Sequence, residues 1–382
     1  MKLYDFKDIS KIFIVGDIHG EFKEFFNVLK NGLSIKKDCL DDDVHPLIKE
    51  ENERMKNVVN QQMPRFADFL TDSPTPKRGR KNKYAKSVIF VAGDCGFGFY
   101  KEQYYLDVLK GMNEVLKQND SYIIFIRGNH DDPSYFENNK LGFDRIICVE
   151  DYSVVKTKNA TTLCVGGAIS IDRVWRKQQE LIINKYSKSF KKKLYWENEN
   201  VSFNIEKLDD IYKNGIKIDS VITHTSPDFA KPLSKDFDSN WFLLDANLKD
   251  DLNNERKTLT DLYNNLIENE NKIKYWGYGH FHLNLQQLYE NTVFSGQGLS
   301  KNPTDILQSI DQIKKIEELK NNLRQKEVKM VPVSGFDLTI EDRPMHRNID
   351  VALEELIGEP MAINDEELEM NNEPMEIGRN PF

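Results

Sequence analysis

The sequence predicts an α/β fold built on a layered sheet. Three apolar runs share one form: "KIFIVGD" (Lys11–Asp17), "SVIFVAGD" (Ser87–Asp94) and "YIIFIRGN" (Tyr122–Asn129). Each is rich in Ile, Val and Phe, has the length of a buried strand, and ends in Gly followed by Asp or Asn. Helix-like stretches accompany them, such as "GEFKEFFNVLKNGL" (Gly20–Leu33) and "KEQYYLDVLKGMNEVLKQN" (Lys101–Asn119). Strands alternating with helices imply an α/β architecture.

Along the chain, the first strand and helix are followed by an unusually long separation. Residues 36 to about 86 exceed what one crossover needs and are read as an insertion. It starts acidic ("DCLDDDVH"), becomes helix-like, and ends in "SPTPKRGRKNKYAK", with six Lys/Arg between Lys77 and Lys86. That run is either a solvated basic loop or an arm that steers phosphate or contacts nucleic acid. After the second and third strand motifs, "TTLCVGGAIS" (Thr161–Ser170), "DSVITHTSPD" (Asp219–Asp228), "IKYWGYGHFH" (Ile273–His282) and "NTVFSGQGLS" (Asn291–Ser300) read as further strands. "PTDILQSIDQIKKIEELKNNLRQKEVKM" (Pro303–Met330) has Ile and Leu at helical spacing. The expected organisation is one domain over 1–300, with the insertion inside it, and a C-terminal helix and acidic tail over 301–382.

The bulk numbers fit a soluble globular protein. The chain has 382 residues, 39% hydrophobic and 30% charged. No run approaches the roughly 20 apolar residues needed to span a bilayer, and the N-terminus lacks the basic, small-residue pattern of a signal peptide, so no membrane role and a cytoplasmic location are expected. The four cysteines, Cys39, Cys95, Cys148 and Cys164, have no paired spacing and are expected to be reduced. Of the net charge of −9, the stretch from Ile340 to Phe382 supplies 12 Asp/Glu against 3 Arg. The body is therefore close to neutral, and the tail is a candidate docking segment for a protein partner.

Five loop motifs carry chemistry: "GDIHG" (Asp17, His19), "GDCG" (Asp94), "GNHDD" (Asn129, His130, Asp131), "THTSPD" (His224) and "GYGHFH" (His280, His282). Each sits where its strand should end, and α/β sheets bind ligands outside the carboxyl ends of their strands. Five of the seven histidines fall in these motifs; only His45 and His346 do not. Taken singly, Asp17 or Asp94 reads as a helix N-cap, Asn129 as a turn residue and His224 as a structural hydrogen bonder. Together, imidazole nitrogens with carboxylate and amide oxygens suit two divalent ions such as Mn, Fe, Zn or Co. His280 and His282 lie two apart, so a bent loop is expected to carry them, with Gly277 and Gly279 permitting the bend. Asp131 is expected to be a local structural group.

The ordered series GDxHG, GD, GNHD, H and GHxH resembles the calcineurin-like metallophosphoesterase superfamily over roughly residues 11 to 300. The resemblance implies a four-layer α/β/β/α sandwich with a dinuclear centre at one edge. By position, it implies one metal held by Asp17, His19 and His282, a second by Asn129, His224 and His280, and Asp94 bridging the two. Manganese is the expected metal, with Fe, Zn, Co or Ni as alternatives. The catalytic set is Asp94, Asn129 and His130; Asn129 and His130 also meet the phosphate, and His130 protonates the leaving oxygen. The implied reaction is hydrolysis of a phosphate ester by attack of a metal-bridging hydroxide.

The chain departs from the phosphoprotein phosphatase branch. Phe97 and Gly98 stand where that branch's GDxxDRG motif has Asp and Arg. "SIDRVWR" (Ser170–Arg176) resembles segments of bacterial and phage-type members, so Arg173 and Arg176 are the candidate phosphate contacts. The reading set against this for Arg173 is an ion pair with Asp172 or a nearby helix. Trp175, Tyr195 and Trp196 are either pocket or core. Cys95 is not expected to act as a nucleophile. The expected enzyme is a phosphomonoesterase acting on a phosphoprotein, a nucleotide or another small phosphate ester. The alternatives are a nuclease or cyclic-nucleotide phosphodiesterase, and a non-catalytic binding scaffold.

Overall fold

The computed structural model describes residues 1–34, 82–186, 192–230 and 239–328. The expected insertion, up to residue 81, and the acidic tail from 340 lie outside the described residues. Among those described, two mixed sheets rich in parallel pairs are covered by helices. One unit runs from Met1 to Leu323; of a second, Arg324–Phe382, only the helical residues to Val328 are described.

The first sheet begins with β2 (Lys11–Val15), β3 (Ser87–Val91), β4 (Tyr122–Phe125) and β5 (Ile146–Cys148), all paired in parallel. A two-residue edge strand, β12 (Thr304–Asp305), runs antiparallel to β2. The second sheet has the order β1-β6-β7-β8-β9-β11-β10. Its strands are β1 (Leu3–Phe6), β6 (Ser153–Thr157), β7 (Thr161–Val165), β8 (Ser220–Thr223), β9 (Tyr275–Tyr278), β10 (Leu285–Tyr289) and β11 (Thr292–Gly296). The inner strands of both sheets are buried, which is why they read as continuous apolar runs.

Alternation along the strands sorts these side chains into three cores. Phe13, Val15, Ile89, Val91, Ile123 and Phe125 face α1 (Phe22–Lys30) and α2 (Glu102–Gln118). The helices answer with stripes at helical spacing: Phe22, Phe25, Phe26 and Leu29, then Tyr105, Leu109, Met112 and Leu116. Phe97, in the loop after β3, fills this core, stacking on Tyr135 and meeting Phe22 and Phe125. The alternate residues Ile12, Ile14, Val88, Phe90 and Ile124 meet Val155, Cys164, Ile222, Tyr275 and Val293 of the other sheet. Outside that second sheet, Leu163, Val221, Trp276 and Phe294 pack on α4 (Ile205–Lys213) and α6 (Leu248–Glu268). The layers are therefore α/β/β/α, the sandwich expected. Short helices α3 (Arg173–Tyr186) and α5 (Ser239–Leu244), and the closing α7 (Ile306–Val328), complete the set. No described helix is long and apolar enough to cross a membrane.

Candidate metal centre

The ends of five strands converge. Asp17 and His19 follow β2, Asp94 follows β3, Asn129 and His130 follow β4, His224 follows β8, and His280 and His282 follow β9. The first three strands belong to one sheet and the last two to the other, so the cluster sits where the edges of both sheets meet. Asp17 Oδ2 lies 3.1 Å from His282 Nε2 and 3.8 Å from His19 Nε2, and the two ring nitrogens are 3.2 Å apart. Asp94 Oδ1 lies 3.2 Å from His224 Nε2, while its Oδ2 is 3.5 Å from His130 Nδ1 and 4.0 Å from His19 Nδ1. Asn129 Oδ1 is 2.9 Å from His224 Nε2.

Both carboxylates are fixed by backbone donors. Asp17 Oδ1 accepts the His280 N–H at 3.0 Å, and Asp94 Oδ1 accepts the His130 N–H at 2.9 Å. Such approaches need bare backbone: a Cβ at Gly128 would collide with Asp94 Oδ1, and one at Gly279 with Asp17 Oδ1. The bend at "GHFH" arises differently from expectation. Gly277 lies within β9, where its missing side chain makes room for Ile14, and the turn is taken by His280 and His282 themselves, at φ 67° and 55°. His19 (φ 48°) and Asp94 (φ 43°) are also left-handed. Four non-glycine residues in that region within one cluster mark stored backbone strain of the kind that gathers at functional sites.

The donor set suits divalent cations. His224 Nδ1–H donates to the Ala92 carbonyl at 2.7 Å, which leaves Nε2 facing two oxygens that are themselves acceptors. The His280 ring has no hydrogen-bond partner among the described residues. Asp17, His19 and His282 place one ligand atom each within 4.8 Å of one another, as do Asp17, Asp94 and His224, and also His19, Asp94 and His130. Imidazole nitrogens gathered on carboxylate and amide oxygens in this way form a donor set that a divalent cation can take up.

The electrostatics agree. Burial would raise the Asp94 carboxyl, but His130, His224 and His19 around it hold it well below the usual range. Asp17 is likewise lowered against burial by the hydrogen bond to His282 and by His224. Burial depresses His224, but Asp94 and Asp17 more than offset it and raise its pKa to about 10. Burial and the neighbouring His224 push His280 down to about 3. Burial, helped by the charge of Arg176, lowers His130 to about 4, with Asp94 pulling the other way.

Surrounding residues hold these ligands in place. Asp131 accepts four backbone N–H groups, from Cys95, Gly96, Phe97 and Gly128, and so ties the β3 loop to the β4 loop. Cys95 is buried, its thiol pKa raised well above the ordinary value by burial and Asp131, which makes it unsuited to nucleophilic attack. Arg127 is structural: it donates to the Glu199 carbonyl at 2.7 Å and pairs with Asp151 at 2.9 Å.

The candidate phosphate contacts fare differently. Arg173 does not line the cavity beside the centre; its Nε and Nη2 bind Asp245 and Asp251 at 2.5 and 2.6 Å. These two carboxylates place it in the ion-pair role, bridging to the start of α6. Arg176 pairs through Nε with Asp172 at 2.7 Å and acts on His130 through its charge. Tyr195 and Trp196 are buried core and Trp175 is exposed; none lines the cavity.

Three residues missed from the sequence stand close by. Asn129 Nδ2–H donates to Ser170 Oγ at 2.8 Å, and Ser170 Oγ–H donates to Glu199 Oε2 at 2.6 Å. This relay turns the Asn129 carbonyl toward the centre, and burial raises the Glu199 carboxyl to about 7. Outer partners of metal ligands typically change affinity by about 10–100-fold. Ser170→Ala is thus expected to weaken manganese binding by about that factor, measured by titration calorimetry; an unchanged affinity would remove the relay from the site. The third residue is Arg256 of α6, which lines the cavity and whose buried Nε has no hydrogen-bond partner among the described residues.

Comparison with known proteins supplies independent observations. A family described as "Calcineurin-like phosphoesterase" matches residues 10–284. No curated protein matches significantly in sequence. Among solved structures, similar ones include phosphopantetheinyl hydrolase from Mycobacterium tuberculosis, at 12% identity and TM-score 0.35, covering 78% of this chain and 96% of that one. Another is a cold-active protein tyrosine phosphatase of a psychrophilic Shewanella species, at 11% identity and TM-score 0.29, covering 79% of this chain and 74% of that one.

Proposed function

The chain belongs to the calcineurin-like phosphoesterase family, whose members are metal-dependent phosphoesterases, and from that premise we propose that it is a phosphomonoesterase with a dinuclear centre. The observation that carries this reading is the convergence of Asp17, His19, Asp94, Asn129, His224, His280 and His282 from the ends of five strands, with His130 beside them. When bound, two divalent ions, manganese in the first instance, supply a nucleophile at neutral pH and neutralise the phosphoryl oxygens.

The protein's own residues do the rest. Asp94 reaches both halves of the cluster, with one oxygen toward His224 and the other toward His19 and His130. His130 lines the cavity, and its ring is placed by the backbone bond to Asp94. A phosphate dianion facing it opposes burial and raises its proton affinity, which suits it to protonate the leaving oxygen. Arg256, at the cavity wall, and Arg176, whose charge reaches His130, are the cations available to the dianion. A monoester carries two charges at neutral pH where a diester carries one, which favours the monoester.

The test is hydrolysis of 4-nitrophenyl phosphate and its bis-ester by the manganese-loaded full chain. Faster turnover of the monoester is expected. Preference for the diester would favour the phosphodiesterase reading, and inertness toward both would favour a binding scaffold.

A further inference from the structure

Beside the metal centre lies a cavity of about 230 Å³ that shares Asp94, Asn129, His130, His280 and His282 with it. Its remaining wall is mostly apolar: Ile171, Trp241 and Phe242 of α5, Leu248 and Leu252 of α6, and Phe281 between the two ligand histidines. The polar groups there are few, and each is engaged with the protein or buried. Asp172 is paired with Arg176. Glu255 is buried in the wall, and that burial pushes its pKa up to about 8. Arg256 is held by three backbone carbonyls, of Pro227, Asp228 and Ala230.

This composition has a direct chemical meaning. A phosphate at the centre places the group esterified to it on the side of His130, the proposed donor to that oxygen, and His130 opens on the apolar wall. A polynucleotide or an extended phosphopeptide would bring polar backbone against aromatic and aliphatic side chains, with few polar partners to replace lost water. A small apolar alcohol or phenol buries its surface there instead. Resting on the phosphomonoesterase reading above, we infer that the substrate is a small-molecule phosphate ester whose leaving group is a compact, uncharged, apolar alcohol or phenol seated between Trp241, Phe242, Leu252 and Phe281. In the reaction, water adds to phosphorus, the bond from phosphorus to the organic oxygen breaks, and that oxygen takes a proton. The products are inorganic phosphate and the free alcohol.

The experiment compares phenyl phosphate with 4-butylphenyl phosphate on the manganese-loaded full chain. The two leaving groups have nearly equal acidity, so a difference reports the cavity rather than bond chemistry. The butyl compound is expected to show at least a tenfold higher kcat/KM, carried mainly by KM, and to exceed a phosphoserine peptide and a nucleoside monophosphate. Leu252→Asp and Trp241→Ala should each shrink the butyl-to-phenyl ratio toward one. The matched phosphonates, phenylphosphonate and 4-butylphenylphosphonate, are measured in parallel by calorimetry. Equal kcat/KM across the pair, or faster turnover of the peptide or nucleotide, overturns the inference. Absence of hydrolysis with all substrates overturns the phosphomonoesterase reading instead, and the phosphonate pair then decides the cavity: tighter binding of the butyl compound supports it, and equal binding sinks it.

Discussion

Asp94→Asn is expected to lower kcat/KM on an aryl phosphate monoester by about a thousandfold or more, which corresponds to roughly 4 kcal/mol of lost transition-state stabilisation. Asp94 is the only carboxylate of the cluster within reach of His19, His130 and His224 together. The amide keeps its shape and one oxygen but removes the negative charge around which these rings are arranged. The circular dichroism spectrum should stay unchanged, because the Asp94 backbone and its place after β3 are held by bonds that do not use the carboxylate, such as the His19 and Ile18 N–H groups on the Asp94 carbonyl. Metal content after dialysis in manganese should fall in the same variant. A variant that keeps wild-type turnover and metal content would remove Asp94 from the centre.

Removing metal should have an effect as large by another route. Dialysis against a strong chelator is expected to bring turnover to background, and returning manganese should restore it. The same titration should move thermal stability. A ligand at a hundred times its dissociation constant stabilises the folded state by about 2.7 kcal/mol, which in a domain of this size corresponds to a melting shift of roughly 4 °C. Without a cation, buried Asp17 and Asp94 stand close to each other, and His280 is held in its neutral form. Scanning calorimetry with and without manganese reads the shift directly. A melting temperature indifferent to chelator and manganese would mean that this cluster does not take up the ion.

Most of the site was legible because its residues obey a positional rule. Gly-Asp and Gly-Asn after an apolar run can be seen without coordinates, and so can histidines confined to such places. The sandwich was legible only through the family resemblance, since apolar runs do not reveal which sheet a strand joins. Short or marginal elements escaped: β5 and β12 are too short to show a period, and β1 is a half-exposed edge. Ser170 and Glu199 form a relay across 29 residues with no pattern linking them. Arg256 belongs to no motif of the sequence, yet its helix carries a signal. Leu248, Glu255, Leu259, Leu262 and Leu266 form one buried stripe of α6, and a carboxylate on such a stripe marks a helix bordering a polar site. The two arginines singled out from the sequence sat in a helix whose acidic neighbours, Asp245 and Asp251, lie more than 70 residues away.

The division of the centre between two sheets reaches beyond catalysis. Asp17 and His280 are 263 positions apart and belong to opposite halves of the sandwich, yet they share a hydrogen bond at its rim. The core between the two sheets is built of apolar side chains that pack without direction, and such packing tolerates small slips. A cation gripping ligands from both sides would act as a rivet: it would fix the register of one sheet against the other and close most of the chain into a single ring. Metal uptake would then report on alignment, since only a chain whose two halves have docked in register presents ligands from both sheets.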